Sequence, residues 1–173
     1  MGYEIEPATA ADAESLSVLA TQVWLDTYAV RGVRPDYAAH VLREYAPEAF
    51  RTAVAKGDTR LILCRDGAYL LGYIRLLLAP EPPGEGCGTA EIGTLYVQPA
   101  QKGRGIGSAL LQAALEAARQ AGHDRVFLTA FAGNHAAAGF YRARGWHFWG
   151  DWTFHLEGEA VPNHVYCIDT GRG

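Results

Sequence analysis

The chain has 173 residues, of which 49% are hydrophobic and 20% are charged, and this composition is ordinary for a globular protein. We therefore expect a single domain over residues 1–173 with a sizeable core. The formal net charge of −4 gives no basic footprint, so no nucleic-acid partner is expected. No stretch approaches the roughly 18 apolar residues that a membrane span requires, so no membrane partner is expected either.

The cysteines and the N-terminus favour a reducing compartment. Cys64, Cys87 and Cys167 lie far apart and form neither a disulfide framework nor a C-x-x-C metal site. The six histidines form no ligand cluster, so no metal is predicted. The N-terminus lacks a basic region followed by an apolar run, which argues against a signal peptide and favours a cytoplasmic location.

In the first half of the chain, capping residues and prolines locate the helices. Thr9 and Asp12 are typical of a helix start, and an amphipathic pattern continues to about Thr27. Pro35 and Pro47 each suit a first helical position. Asp66 and Gly67 predict a hairpin turn between two strands. The predicted elements are a strand at 3–6, helices at 9–27, 35–46 and 47–55, and strands at 59–65 and 68–78.

The second half alternates strands and helices after a proline-rich surface loop at 79–86. Gly122 and Gly145 are expected to end the two helices of this half. The predicted elements are strands at 90–97, 125–131, 146–155 and 161–169, and helices at 105–121 and 136–144. This order predicts an α/β fold, with helices on both faces of a sheet.

A glycine-rich turn at 97–111 carries the clearest functional signal. A strand ends there, Gly103, Gly105 and Gly107 follow, and an amphipathic helix begins. Without Cβ atoms the backbone can curl, so that several N–H groups point the same way at the positive end of a helix dipole. Such a turn suits a pyrophosphate, and Lys102 and Arg104 add positive charge.

Three other interpretations compete for this turn. A dinucleotide-binding fold requires G-x-G-x-x-G after the first strand, whereas here the pattern is G-x-G-x-G in mid-chain. A P-loop requires Gly-Lys followed by Ser or Thr, which is absent. The turn could also be a helix start that is merely rich in glycine, although alternating glycines lower helix propensity.

Three segments together resemble the GNAT superfamily of N-acetyltransferases. Lys102, Gly105 and Gly107 match its motif Q/R-x-x-G-x-G/A, with Lys102 in place of the usual Gln or Arg. The strand at 91–97 resembles the family's fourth strand. The third segment resembles N-x-x-A-x-x-F-Y-x-x-x-G-F, with Trp146 in place of the last Phe; its matching residues are Asn134, Ala137, Phe140, Tyr141 and Gly145.

This resemblance implies a mixed, centrally splayed sheet of about seven strands and an acetyl-CoA-dependent N-acetyltransferase. The acetyl group would pass to a primary amine by direct attack in a ternary complex. Backbone groups of the fourth strand would meet the pantetheine arm, and one of its N–H groups would stabilise the oxyanion. The implied cofactor-binding residues are Leu95, Tyr96, Val97, Lys102, Gly103, Arg104, Gly105, Ile106, Gly107, Ser108, Asn134, Ala137 and Tyr141.

The resemblance also implies two catalytic side chains. An alkyl amine with a pKa near 10 is mostly cationic at neutral pH, so a base must take its proton, and Glu91 is the candidate. The alternative is a surface carboxylate paired with an arginine. Tyr141 matches the tyrosine that faces the CoA sulfur as general acid, and the alternative is a packed tyrosine. Asn134 is alternatively an N-cap of the helix that follows it.

The acceptor amine is less well defined. Segments 23–28 and 152–159 loosely resemble bacterial spermidine/spermine acetyltransferases. An antibiotic or other small-molecule amine, a protein N-terminus and a lysine are alternatives, as is an acetyl-CoA sensor without turnover. Acidic residues that could face a polycation are Asp26, Glu44, Glu48, Glu91, Glu157 and Glu159. Aromatic residues predicted as core or pocket wall are Trp24, Tyr28, Trp146, Trp149 and Trp152; those near 146–154 also allow a homodimer.

Overall fold

Helices and strands alternate along the computed structural model, which describes residues 2–156 and 159–171, with only the backbone at 154–156 and 159. The strands are β1 Glu4–Pro7, β2 Thr59–Asp66, β3 Tyr69–Leu77, β4 Ala90–Val97, β5 Arg125–Phe131, β6 His147–Leu156 and β7 Glu159–Asp169. The helices are α1 Ala13–Tyr28, α2 Pro35–Glu44, α3 Pro47–Ala55, α4 Ile106–Gln120 and α5 His135–Arg142.

The strands are hydrogen-bonded in the order β1-β2-β3-β4-β5-β7-β6. The pair β4–β5 is parallel, whereas β1–β2, β5–β7 and β6–β7 are antiparallel. The predicted α/β fold with a mixed sheet of about seven strands is therefore confirmed. The register between β4 and β5 consists of Ala90 with Val126 and Glu91 with Phe127, at the start of β4. So short a ladder is what a splayed pair of strands gives.

The predicted helix starts are explained by local hydrogen bonds and by proline. The Asp12 carboxylate accepts hydrogen bonds from the Thr9 backbone N–H at 2.7 Å and from the Thr9 hydroxyl at 2.9 Å. A short 3-10 turn over Ala10–Asp12 precedes α1. Pro35 and Pro47 each occupy a first helical position, as predicted.

Boundaries differ where the sequence carries no periodic signal. A 3-10 turn over Pro99–Gln101 was not predicted, because three residues are too few to show a period. Helix α4 begins one residue later than predicted, because Gly105 has φ +80° and so cannot be helical. Helix α5 ends at Arg142, and Gly145, with φ +83°, follows it.

The chain divides into two compact units. Unit 1 comprises Met1–Arg75 and Thr94–Ala114, and unit 2 comprises Leu76–Gly93 and Leu115–Gly173. Whether residues 1–173 act as a single domain stays a prediction. The core of unit 1 includes Ala13, Leu16, Leu19, Ala20, Val23, Phe50, Ala53, Leu61, Leu63 and Tyr73. A core cluster of unit 2 contains Cys87, Phe127, Val165 and Cys167.

Within the described residues, no helix is long and apolar enough to cross a membrane. The three cysteines are free and buried.

Candidate functional site

In unit 1, the end of β4 lies unusually close to β3. A Cβ atom placed on Gly72 would lie 2.7 Å from the carbonyl oxygen of Tyr96 and 3.2 Å from the Cα of Val97. Only glycine permits this approach of two backbones without a shift. Gly72 was not among the predicted site residues, although a glycine inside a strand is itself a signal of close backbone approach.

Two backbone hydrogen bonds, one to β3 and one within the segment itself, hold the chain that enters the glycine turn. The Gln98 N–H donates to the Leu71 carbonyl at 2.9 Å, and the Gln101 N–H donates to the Gln98 carbonyl at 2.9 Å. Gly103 and Gly105 then adopt φ angles of +82° and +80°. These left-handed conformations strain any residue that carries a Cβ. The turn therefore depends on glycine at both positions.

Helix α4 begins directly after this turn. The Ala109 N–H donates to the Gly105 carbonyl at 3.0 Å, so Gly105 is the N-cap. By helix geometry, the N–H groups of Ile106 and Gly107 have no intrahelical acceptor and lie at the positive end of the dipole. Lys102 and Arg104 are exposed beside them, and Arg104 donates to the side chain of Gln101. This arrangement is chemically suited to an anion.

Glu91 is the first of the predicted site residues of unit 2 in chain order. It lies on β4, opposite Phe127, and is half-buried. Farther along the chain, the Asn134 side-chain oxygen accepts a hydrogen bond from the Ala137 N–H at 3.1 Å and caps α5. This cap is the alternative role considered for Asn134. Its amide N–H₂ group is not used by the cap and can still donate to a ligand.

Tyr141 lies near the end of α5, among other rings of unit 2. Its ring centroid lies 5.2 Å from that of Phe140, 5.7 Å from Trp146 and 6.4 Å from Tyr166. Burial raises the pKa of Tyr141 to about 12. The hydroxyl therefore keeps its proton at neutral pH and is available as a donor.

Tyr166 is a further polar side chain at this position that the sequence analysis did not single out. It is fully buried on β7, and within the described residues its hydroxyl has no hydrogen-bond partner. The guanidinium carbon of Arg142 lies 5.8 Å from its ring centroid. Its position beside Tyr141 depends on strand pairing, so no local motif could have predicted it.

The structure thus groups the predicted residues within each unit. Unit 1 holds the stretch from Leu95 to Ser108, and unit 2 holds Glu91, Asn134, Ala137 and Tyr141. No group of three or more potential metal ligands occurs within the described residues.

The predicted polycation-binding acids and aromatic residues divide into several groups. Asp26 is exposed, Glu44 pairs with Arg43 at 2.9 Å, and Glu48 pairs with Arg51 at 3.4 Å. Glu157 lies outside the described residues, and the side chain of Glu159 is not described. Trp24 and Trp146 are buried, as predicted for core residues. The remaining aromatic residues are partly exposed: Tyr28, Trp149 and Trp152.

Comparison with known proteins identifies related sequences. The sequence model of the Acetyltransferase (GNAT) family matches residues 21–146. The N-alpha-acetyltransferase RimI of Mycobacterium tuberculosis is 35% identical over 102 residues, which cover 58% of this chain. The chain matches 60% of the length of that relative.

Solved structures with the same fold include two named acetyltransferases. The PaiA N-acetyltransferase from Thermoplasma acidophilum, in complex with coenzyme A, superposes with a TM-score of 0.74 at 21% identity, covering 95% of this chain and 98% of that one. A ribosomal-protein-alanine N-acetyltransferase from Brucella melitensis gives a TM-score of 0.67 at 21% identity, covering 96% and 99%.

Proposed function

Because the chain belongs to the acetyltransferase (GNAT) family, we propose that it transfers the acetyl group of acetyl-CoA to an amine by direct attack in a ternary complex. The observation that carries this proposal is the glycine turn before α4. Its two left-handed glycines, the N-terminal amides of α4 and the exposed cations Lys102 and Arg104 suit the pyrophosphate of CoA. The other predicted cofactor contacts, from Leu95 to Val97 and at Asn134 and Ala137, belong to the same proposal.

In this proposal Tyr141 acts on the sulfur of the leaving group. A thiol has a pKa of about 8.5, whereas burial raises the pKa of Tyr141 to about 12. Complete transfer of the phenol proton to a thiolate is therefore uphill, by about 1.4 kcal/mol for each unit between the two pKa values. Hydrogen-bond donation to the sulfur as the C–S bond breaks needs no such transfer. The raised pKa keeps the phenol protonated, as a hydrogen-bond donor at this position must be.

Glu91 is the proposed base. It takes the proton that the attacking nitrogen loses, directly or through a water molecule. The base matters most for an alkyl ammonium of pKa about 10.4, because only on the order of one molecule in a thousand is neutral at pH 7.5. An α-amine of pKa about 7.8 is about one-third neutral at that pH. The demand on Glu91 is therefore much smaller for an α-amine.

We propose the α-amine of a peptide or protein N-terminus as the acceptor. The names of the RimI relative and of the Brucella neighbour support this class. A polyamine stays the alternative acceptor. Two of the acids considered for binding a polycation, Glu44 and Glu48, are already paired with arginines, which weakens that alternative. The cytoplasmic location and the homodimer stay predictions.

The experiment combines CoA binding with turnover. Thermal unfolding with CoA, ATP or NAD distinguishes a CoA site from a nucleotide site. Thiol release from acetyl-CoA is then followed with a peptide, spermidine, an aminoglycoside and a lysine side-chain analogue as acceptors. We expect Tyr141→Phe to lower kcat about 100-fold with little change in CoA affinity. Tyr69→Phe is the matched control, because Tyr69 is 75% exposed on β3.

Three outcomes would count against the proposal. If CoA gives no thermal shift, the cofactor assignment fails. Tight CoA binding without thiol release from any acceptor indicates a non-catalytic sensor. Unchanged kcat in Tyr141→Phe refutes the role of that hydroxyl.

A further inference from the structure

Unit 1 contains a cavity of about 160 Å³ that none of the predicted catalytic or cofactor-binding residues lines. It lies between helices α2 and α3 and the sheet strands β2, β3 and β4. The lining residues are His40, Glu44, Tyr45, Ala49, Phe50, Ala53, Leu61, Tyr73, Arg75 and Thr94. Thr94 precedes the stretch of β4 to which the pantetheine contacts are assigned.

The tyrosine and phenylalanine side chains that line the cavity are uncharged at neutral pH. The hydroxyl of the lining residue Tyr45 lies 3.1 Å from that of Tyr96, which is outside the lining, and the two share a hydrogen bond. Tyr73 is buried, and its ring meets that of Phe50 edge to face at 5.9 Å. Burial raises the pKa of both Tyr45 and Tyr73. Neither phenol can therefore supply negative charge to a cationic ligand at neutral pH.

Two lining residues are charged, and their balance disfavours a polycation. The Glu44 carboxylate is already paired with Arg43 at 2.9 Å, and its side chain is 49% exposed. Arg75 is exposed and takes part in no ion pair within the described residues. A guanidinium at this position repels ammonium groups and attracts a carboxylate, with which it can form two parallel hydrogen bonds.

The volume of the cavity limits the apolar group that it can hold. A cavity of about 150 Å³ lined by apolar side chains accommodates benzene. The cavity of about 160 Å³ has a similar volume, and its Phe50, Ala53 and Leu61 side chains form an apolar part that suits a branched aliphatic group or a single ring.

From this size and charge we propose that the cavity binds the side chain of the acceptor's N-terminal residue. Leucine or phenylalanine fits best, and Arg75 pairs with a carboxylate close behind the α-amine. This assignment rests on the proposed N-acetyltransferase activity and deepens it. The acceptor is a peptide whose first residue is apolar and whose second residue is acidic. It reverses the electrostatic requirement of a polyamine site.

The experiment compares peptides that begin Ala-Asp, Leu-Asp, Phe-Asp and Trp-Asp with counterparts that carry Asn at the second position. We expect kcat/KM for Leu and Phe to exceed that for Ala by about tenfold, and Trp to be poor. Asn at the second position is expected to raise KM about tenfold or more, because a charge-assisted hydrogen bond is lost.

Two variants change the cavity and two change matched positions outside it. Ala49→Phe narrows the cavity, so the preference for Phe over Ala should fall about tenfold or more. Arg75→Gln should abolish the difference between Asp and Asn peptides. Ala55→Phe on α3 and Arg60→Gln on β2 are the controls, since both residues are exposed and neither lines the cavity. The controls should keep the wild-type ratios.

The outcomes separate this assignment from the proposed function. If thiol release occurs but Ala49→Phe and Arg75→Gln keep the wild-type ratios, the cavity assignment is overturned and the acetyltransferase proposal stands. Turnover with spermidine but with none of the peptides also overturns the cavity assignment and leaves the acetyltransferase proposal standing. If no acceptor releases thiol, the proposed function fails. Calorimetric titration of the Phe-Asp peptide into the CoA-loaded protein and into Arg75→Gln then decides the cavity alone, and equal affinities overturn it.

Discussion

Replacing Gly105 by alanine tests whether the left-handed backbone of the glycine turn is needed for CoA. Gly105 has φ +80°, and the nearest atom to an added Cβ is the Tyr3 hydroxyl at 3.6 Å, an ordinary contact. The substitution therefore adds backbone strain without a steric clash. A left-handed L-residue costs about 1–2 kcal/mol. Alanine also restricts the unfolded chain, which offsets about 0.4–1 kcal/mol. The net cost is about 1 kcal/mol.

This cost must appear in one of two measurements. If the free protein keeps the turn, the free energy of unfolding falls by about 1 kcal/mol and the CoA Kd is unchanged. If the turn relaxes when no ligand is bound, stability is kept and the CoA Kd rises about fivefold. Urea denaturation and calorimetric titration with CoA give the two terms, and their sum should be about 1 kcal/mol in either case.

Gly122→Ala provides the control for backbone strain alone. Gly122 ends α4 with φ +89°, and an added Cβ there has no atom within 4 Å. The variant should lose similar stability and keep the wild-type CoA Kd. A Gly105→Ala variant that changes neither stability nor Kd would refute the reasoning. So would a Gly122→Ala variant that weakens CoA binding as much as Gly105→Ala does.

Three further predictions concern the proposed base, the buried phenol of Tyr141 and the close approach of β3 and β4. At pH 7.5, Glu91→Gln should lower kcat/KM about 100-fold or more with an alkyl amine but only about tenfold with a peptide α-amine, because the α-amine is already partly neutral. Equal losses of kcat/KM for the two amines in steady-state assays would contradict the role of Glu91 as the base. Because burial raises the pKa of Tyr141 to about 12, protonated Tyr141 contributes fully to the free energy of unfolding below pH 10, and this contribution is lost between pH 10 and 12. Urea midpoints should therefore fall less steeply across that range in Tyr141→Phe than in the wild type. Equal slopes would exclude a contribution of this phenol to the pH dependence of stability. Gly72→Ala should reduce the free energy of unfolding by about 1–3 kcal/mol, because the added Cβ would lie 2.7 Å from a backbone carbonyl oxygen. Gly93→Ala is the control, because its Cβ would meet only the Leu77 side chain, at 3.4 Å. Similar losses of stability in the two variants would contradict this prediction.

The sequence predicted those parts of the fold that short-range chemistry determines. Strands 90–97 and 125–131 have the predicted bounds, because turn residues flank an apolar run in each case. Pro35 and Pro47 begin helices, since proline lacks the N–H that a first helical position does not use. The role of Gly72 could not be predicted in this way, because the backbone that it admits belongs to Tyr96 and Val97, more than 20 residues away.

The proposed pyrophosphate contacts lie in one continuous segment of the chain, whereas the proposed acceptor site is assembled from distant segments. The proposed pyrophosphate contacts come mainly from backbone N–H groups of one continuous turn, so glycine spacing and a helix start are enough to predict them. The cavity proposed for the acceptor is built from two helices and three strands, and no sequence motif joins its lining residues. Arg75 and Glu44 are 31 positions apart and occur in no motif. In this chain a motif therefore predicts what donates the acetyl group, whereas only the packed structure limits what receives it.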